Sequence, residues 1–118
     1  MEQVNDSMNN SDLPMLVESV SKWHHDRNLV EGANNFSQFT KLIEEAGELA
    51  GNLSRGKCCR DDIGDMLVVL INICEREGYT LEDCLYTAWL DIKDRKGRLI
   101  DGTFVKESDL GATAKALK

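Results

Sequence analysis

Apolar positions along the chain recur every three or four residues, the spacing of helices, and not in the alternation of strands. Leu13, Leu16, Val17, Val20 and Trp23 make a first apolar stripe. Ser11 or Asp12 stands where it can cap that helix. The run HHDRNLVEGANN reads as a connection, with Gly32 and two asparagines as breakers. A second helix is expected from about Gln38 to Leu53, capped by Ser37, with Phe39, Leu42, Ala46, Leu49 and Leu53 as its buried stripe. Glu45 and Glu48 flank that stripe, which predicts that they face a groove and not open solvent. Ser54 to Arg60 contains Gly56 and reads as a loop.

Asp61 and Asp62 open a third helix, favourably placed near its positive N-terminal end. Ile63, Met66, Leu67, Val68, Val69, Leu70, Ile71, Ile73 and Cys74 then make it apolar on nearly all sides. A helix of that kind needs more cover than a short chain supplies, so a homodimer or homotetramer is expected. Gly78 ends it, and Thr80-Leu81-Glu82-Asp83 has the form of a capping box for a fourth helix. The stripe of that helix is Leu81, Cys84, Leu85, Ala88, Trp89 and Ile92. The cation-rich run DIKDRKGR follows, and Gly97 and Gly102 bracket a tail, GRLIDGTFVKESDL, read as irregular. The expected architecture is all-α, a four-helix bundle completed by homo-oligomerisation. Residues 1–12 read as a flexible segment, 13–110 as one helical domain and 111–118 as a flexible tail.

A chain of 118 residues with 42% hydrophobic content can bury one modest core. Its net charge of −7 argues against general affinity for nucleic acid polymers or anionic membranes. A polyanionic ligand held through a metal remains compatible with that charge. No apolar run is long enough to span a bilayer, and the polar start MEQVNDSMNNSDLP lacks the features of a signal peptide. A cytoplasmic location is therefore expected. Of the four cysteines, Cys74 and Cys84 sit on apolar helical faces, where a thiol behaves as a small hydrophobe. Adjacent Cys58 and Cys59 do not have zinc-site spacing, and two histidines are too few to complete one.

The candidate chemistry lies in the acids. Glu44, Glu45 and Glu48 occur in KLIEEAGEL, and Asp62 and Asp65 in DDIGDM. Residues three apart on a helix share a side, so Glu45 pairs with Glu48 and Asp62 with Asp65. Antiparallel packing of the two helices brings the four carboxylates together, where they repel unless a cation sits among them. All-oxygen ligands suit Mg²⁺, with Mn²⁺ as a substitute. Glutamates on a helix are ordinarily a solvated face. Here the acids lie beside the apolar stripe, a second pair opens the next helix, and a cationic cluster follows. Together these suit a metal-plus-phosphate site. A di-iron bundle needs Glu-x-x-His on two helices, and His24 and His25 stand in no such motif. No phosphate-binding glycine loop and no Ser/His/Asp grouping is present.

Several residues carry two readings. Lys41 either meets a phosphate or pairs with Glu45 one turn on. Lys93, Arg95, Lys96 and Arg98 either bind phosphate or offset the dipole at a solvated helix end. Trp23 either stacks on a base, beside a pocket lined by Phe36 or Gln38, or belongs to the core. Gly47 costs the second helix about 1 kcal/mol relative to alanine, which either close approach of a ligand or helix packing would explain.

KLIEEAGELAGNL followed by DDIGDMLVVLINI resembles the MazG-like, all-α nucleoside triphosphate pyrophosphohydrolases. Their signature is E-E-x-x-E, a variable gap, then E-x-x-D. Glu44, Glu45 and Glu48 match the first half. Asp62 and Asp65 match the second, with Asp62 where the family usually has Glu. The resemblance runs from roughly Val20 to Lys106 and includes Trp23/Arg27 and Gln38/Lys41 upstream. The short form is similar to stand-alone versions found in bacteriophages and some bacteria. The resemblance implies hydrolysis of a nucleotide between its α- and β-phosphates, giving monophosphate and pyrophosphate. It implies Glu45, Glu48, Asp62 and Asp65 as Mg²⁺ ligands and Glu44 as the residue that orients or deprotonates water. The family often has Asn near Asp94, a departure in this chain. A different class of protein, a catalytically silent helical interaction module, accounts for the same residues with the acids as surface charge. The same chemistry restricted to deoxyuridine triphosphate or an alarmone is a narrower possibility.

Overall fold

The computed structural model of the chain describes residues 9–116. The elements are α1 (Leu13–Asp26), α2 (Asn35–Ser54), α3 (Arg60–Glu77), α4 (Leu81–Ile92), β1 (Gly97–Ile100), β2 (Thr103–Lys106) and α5 (Glu107–Ala116). They fall into two compact units that divide after Leu81. Most of the flexible segment expected at the N-terminus, residues 1–8, and the last two residues of the expected tail lie outside the described residues.

In the first unit α1 and α2 start where a side chain satisfies free N–H groups, while α3 starts at Cys59 with no side-chain cap. Asp12 caps α1, accepting from the Met15 backbone N–H at 3.2 Å. Asn34, and not Ser37, caps α2. Its Oδ1 accepts from the Ser37 N–H at 2.8 Å, and Ser37 Oγ accepts in return from the Asn34 N–H. Helix α3 ends at Gly78, whose left-handed φ of 78° suits a residue without a Cβ.

Helices α2 and α3 run antiparallel, as the contacts at their two ends require. Asn52 of α2 meets Asp62 at the start of α3, and Asn35 at the start of α2 meets Arg76 near the end of α3. Helix α1 lies against α3, with Ser21 Oγ donating to Glu75 at 3.2 Å and His24 packed on Asn72. The core is small: Val17, Val30, Val69, Ile71 and Cys74 are its buried apolar residues.

The stripe expected to be buried on α2 is buried only in part: Leu42, Ala46 and Leu49 are half-buried. Phe39 and Leu53 are more than half exposed within the unit, and Glu45 is the buried residue of that helix. Gln38, Lys41, Glu45, Glu48 and Asn52 repeat at three- and four-residue spacing, so they share one side of α2. Asp62, Asp65, Val69, Asn72 and Arg76 do the same on α3. Glu45 and Glu48 approach Asp65, Asn52 meets Asp62 and Asn35 meets Arg76, so the α2–α3 seam carries polar contacts along its length beside half-buried Leu42, Ala46 and Leu49.

The second unit corrects two expectations. The tail is not irregular, and the chain is not free of sheet. Strands β1 and β2 pair antiparallel, Gly97 with Lys106 through Ile100 with Thr103. Asp101 and Gly102 both have positive φ, 50° and 81°, the pair that a two-residue hairpin turn requires. Backbone helix continues through Ala116, across most of the expected flexible tail. Helix α4 has no buried residue, so its expected stripe, with Leu85 at 66% and Trp89 at 53%, is exposed. Among the described residues the chain is thus mostly helical with one small hairpin, and no helix is long and apolar enough to cross a membrane.

Candidate metal centre

The antiparallel seam brings one carboxylate oxygen each from Glu45, Glu48 and Asp65 within 4.8 Å of one another. The i, i+3 spacing on α2 supplies the first two. Asp65, a turn into α3, supplies the third from the facing helix. Glu45 is buried, Asp65 half-buried and Glu48 exposed, so the cluster opens to solvent on one side.

Glu45 is its anchor. The side chain is only 9% exposed, and its Oε2 lies 3.3 Å from the Lys41 ammonium. The other oxygen, Oε1, is fully buried and has no hydrogen-bond partner. Leaving a buried charged acceptor unpaired costs about 1–3 kcal/mol or more. Lys41 also stands 3.9 Å from Glu44. Its pKa is raised, first by the hydrogen bond to Glu45 and then by that carboxylate's charge. The Asp65 carboxyl is held above the usual carboxylate range, chiefly by burial and then by the charges of Asp61, Glu45 and Asp62.

A divalent cation would relieve each of these penalties. The donor set is three hard carboxylate oxygens with no sulfur or imidazole, which fits Mg²⁺ or Mn²⁺ and does not fit a soft metal. The unpartnered buried oxygen of Glu45 would gain a partner in such an ion.

Asp62 stands apart from these three. It is buried, and its Oδ2 accepts a 2.7 Å hydrogen bond from the Asn52 side-chain amide. Asn52 was not among the expected site residues. Its position four residues after Glu48, continuing the polar row of α2, is the signal that marks it. Glu44 points to the exposed side of α2, with 62% of its side chain open. A Cβ at Gly47 would meet open space, so nothing packed in this unit demands glycine there.

The remaining expected residues are placed as follows. Gln38 is half-buried at the start of the polar row. Trp23 is 44% exposed and not core. The Arg27 guanidinium lies over its ring, 4.4 Å from the centroid, so one face is already covered by a cation. Phe36 is exposed. Lys93, Arg95 and Lys96 belong to the second unit. Lys93 pairs with Asp94 at 2.9 Å, and Arg95 with Asp91 at 2.7 Å. Arg95 and Lys96, with Lys106, Asp91, Asp94 and Glu107, line an open hollow of about 510 Å³.

No protein-family profile matches the chain. Over 68 residues, 56% of its length, it is 38% identical to an uncharacterized 18.2 kDa protein in the rep-hol intergenic region of Haemophilus phage HP1 (strain HP1c1). The matched stretch spans 42% of that relative, less than half its length. No solved structure matches.

Proposed function

We propose that the chain is a Mg²⁺-dependent nucleoside triphosphate pyrophosphohydrolase, converting an NTP or dNTP to the monophosphate and pyrophosphate. The observation that carries this reading is the convergence of carboxylates from Glu45, Glu48 and Asp65, of which Glu45 also holds a buried oxygen that lacks a partner. The motif resemblance described above supports it from the sequence side.

On this reading Glu45, Glu48 and Asp65 hold the cation, and Asp62 adds a carboxylate from the start of α3. The bound cation supplies charge for the phosphate oxygens and for the negative charge that grows in the transition state. Glu44, exposed beside the cluster, orients water and takes its proton as the water oxygen bonds to phosphorus and the bridging P–O bond breaks. Lys41 balances Glu45 while no cation is bound and meets a phosphate oxygen when substrate is present. Gln38 and Trp23 contact the base. Mn²⁺ substitutes for Mg²⁺ with the same ligands.

Pyrophosphate release from a panel of NTPs, dNTPs, modified nucleotides and an alarmone, with Mg²⁺ and with EDTA, tests the reading. Metal-dependent release from at least one substrate supports it and shows whether the site is broad or restricted. No release from any substrate by a folded sample overturns it.

A second reading, a helical interaction module, has one observation in its favour. Leu85, Tyr86, Trp89, Leu90 and Ile92 of α4 are all exposed, an unusual density for a free surface. In the pyrophosphohydrolase reading the same residues form the contact of a homodimer or homotetramer. A substitution that removes hydrolysis and leaves the assembly intact separates catalysis from association.

A further inference from the structure

We propose that Asn52 is a positioning residue for the cation site, acting through Asp62. This deepens the pyrophosphohydrolase reading and rests on the metal site it invokes. Asn52 lies one turn beyond Glu48 on the polar side of α2, opposite Asp62 on α3. Its amide Nδ2 donates to Asp62 Oδ2 at 2.7 Å, a short bond for a neutral donor. Its Oδ1 accepts from the Arg55 guanidinium at 3.4 Å. That second contact settles how the amide is turned, with nitrogen toward the carboxylate and oxygen toward the cation.

The chemistry of this arrangement is specific. A buried carboxylate at the edge of an acidic cluster is pushed away by its neighbours, and a hydrogen-bond donor holds it in place. An arginine or lysine in the place of Asn52 would hold Asp62 too, but would bring a positive charge that opposes cation entry. An amide supplies the donor without the charge. It also stands between Arg55 and Asp62, presenting a carbonyl to one and an N–H to the other. One oxygen of Asp62 is thus occupied by Asn52, and on the proposed metal reading the other, Oδ1, is the one that would serve the cation. Metal sites commonly orient their ligands through such outer partners, whose loss costs about 10- to 100-fold in metal affinity.

The test is Mn²⁺ affinity by isothermal titration, with the metal-free melting temperature measured on the same samples. Asn52→Ala is expected to weaken Mn²⁺ binding about tenfold or more. Asn52→Gln, which keeps an amide donor on a longer stem, should recover most of that loss. In an Asp62→Ala background, Asn52→Ala should produce no further weakening, because the residue it acts through is gone. Should Asn52→Ala melt below the working temperature, Asn52→Ser serves in its place. Wild-type affinity in Asn52→Ala, or equal weakening with and without Asp62, overturns the proposal while leaving the metal site standing. Absence of Mn²⁺ binding by the wild-type chain overturns the metal reading itself, and this inference with it.

Discussion

His24 Nδ1 lies 3.3 Å from the side-chain amide of Asn72, which is 0% exposed, the lowest exposure among the described residues. The opposite ring nitrogen, Nε2, lies 2.8 Å from the Val68 carbonyl, which only accepts, so Nε2 carries the proton and Nδ1 receives from Asn72. The same amide donates to the Leu29 carbonyl at 2.8 Å. One side chain thus ties α1, the segment after it, and α3.

Asn72→Ala is therefore expected to destabilise the fold by about 2–4 kcal/mol, because it leaves two buried acceptors without a donor. Urea unfolding followed by circular dichroism measures the change. A loss under about 1 kcal/mol would mean that water replaces the amide at little cost.

The acid cluster predicts opposite effects on stability and activity. Glu48→Gln and Asp65→Asn each remove one of three mutually repelling carboxylates, so the metal-free protein should gain about a few tenths of a kcal/mol. Pyrophosphate release should fall to background in both, since each removes a proposed cation ligand. Thermal melts in EDTA and turnover assays in Mg²⁺, run side by side, check the two signs. Full turnover in either variant would refute the ligand assignment.

The His25–Glu75 pair predicts a pH dependence. Nε2 of His25 is 2.8 Å from Glu75, and Glu31 lies 3.8 Å from the other ring nitrogen. The hydrogen bond to Glu75 raises the His25 pKa above 6.5, and the nearby acids add to the shift. A histidine with a raised folded-state pKa stabilises fully below its unfolded value and loses that contribution as pH rises through the folded value. Wild type should therefore exceed His25→Gln in melting temperature at about pH 5.5, and the two should converge at about pH 8.5. A difference that grows toward high pH would contradict the pairing.

The exposed face of α4 predicts association. Wild type should show a mass that is a multiple of the 13.2 kDa chain in light scattering. Trp89→Glu and Leu85→Glu should each shift that mass toward the single chain, because an unpaired carboxylate in an apolar contact is costly. A single-chain mass for the wild-type protein would assign the face to a different partner.

The chain by itself determined where α1, α2, α3 and α4 lie, to within a few residues. Periodic burial, the cap at Asp12 and the left-handed stop at Gly78 are local properties, decided by residues within a turn or two of one another. The i, i+3 acid pairs were legible for the same reason. The Asp101-Gly102 turn was equally local, but four-residue strands are too short for alternation to stand out.

Tertiary structure decided what those elements do with their faces. Hydrophobic ranking puts Phe39 and Leu53 inside, yet the register of α2 on α3 buries Glu45 and leaves both exposed in their unit. His24 read as a connection residue, because its partner lies forty-eight positions away. Asp62 read as an equal of Asp65, until the facing helix placed Asn52 on it. Periodicity is set by neighbours along the chain. Contacts between distant residues depend on helix register, which every packed side chain sets together, and no single segment carries that information.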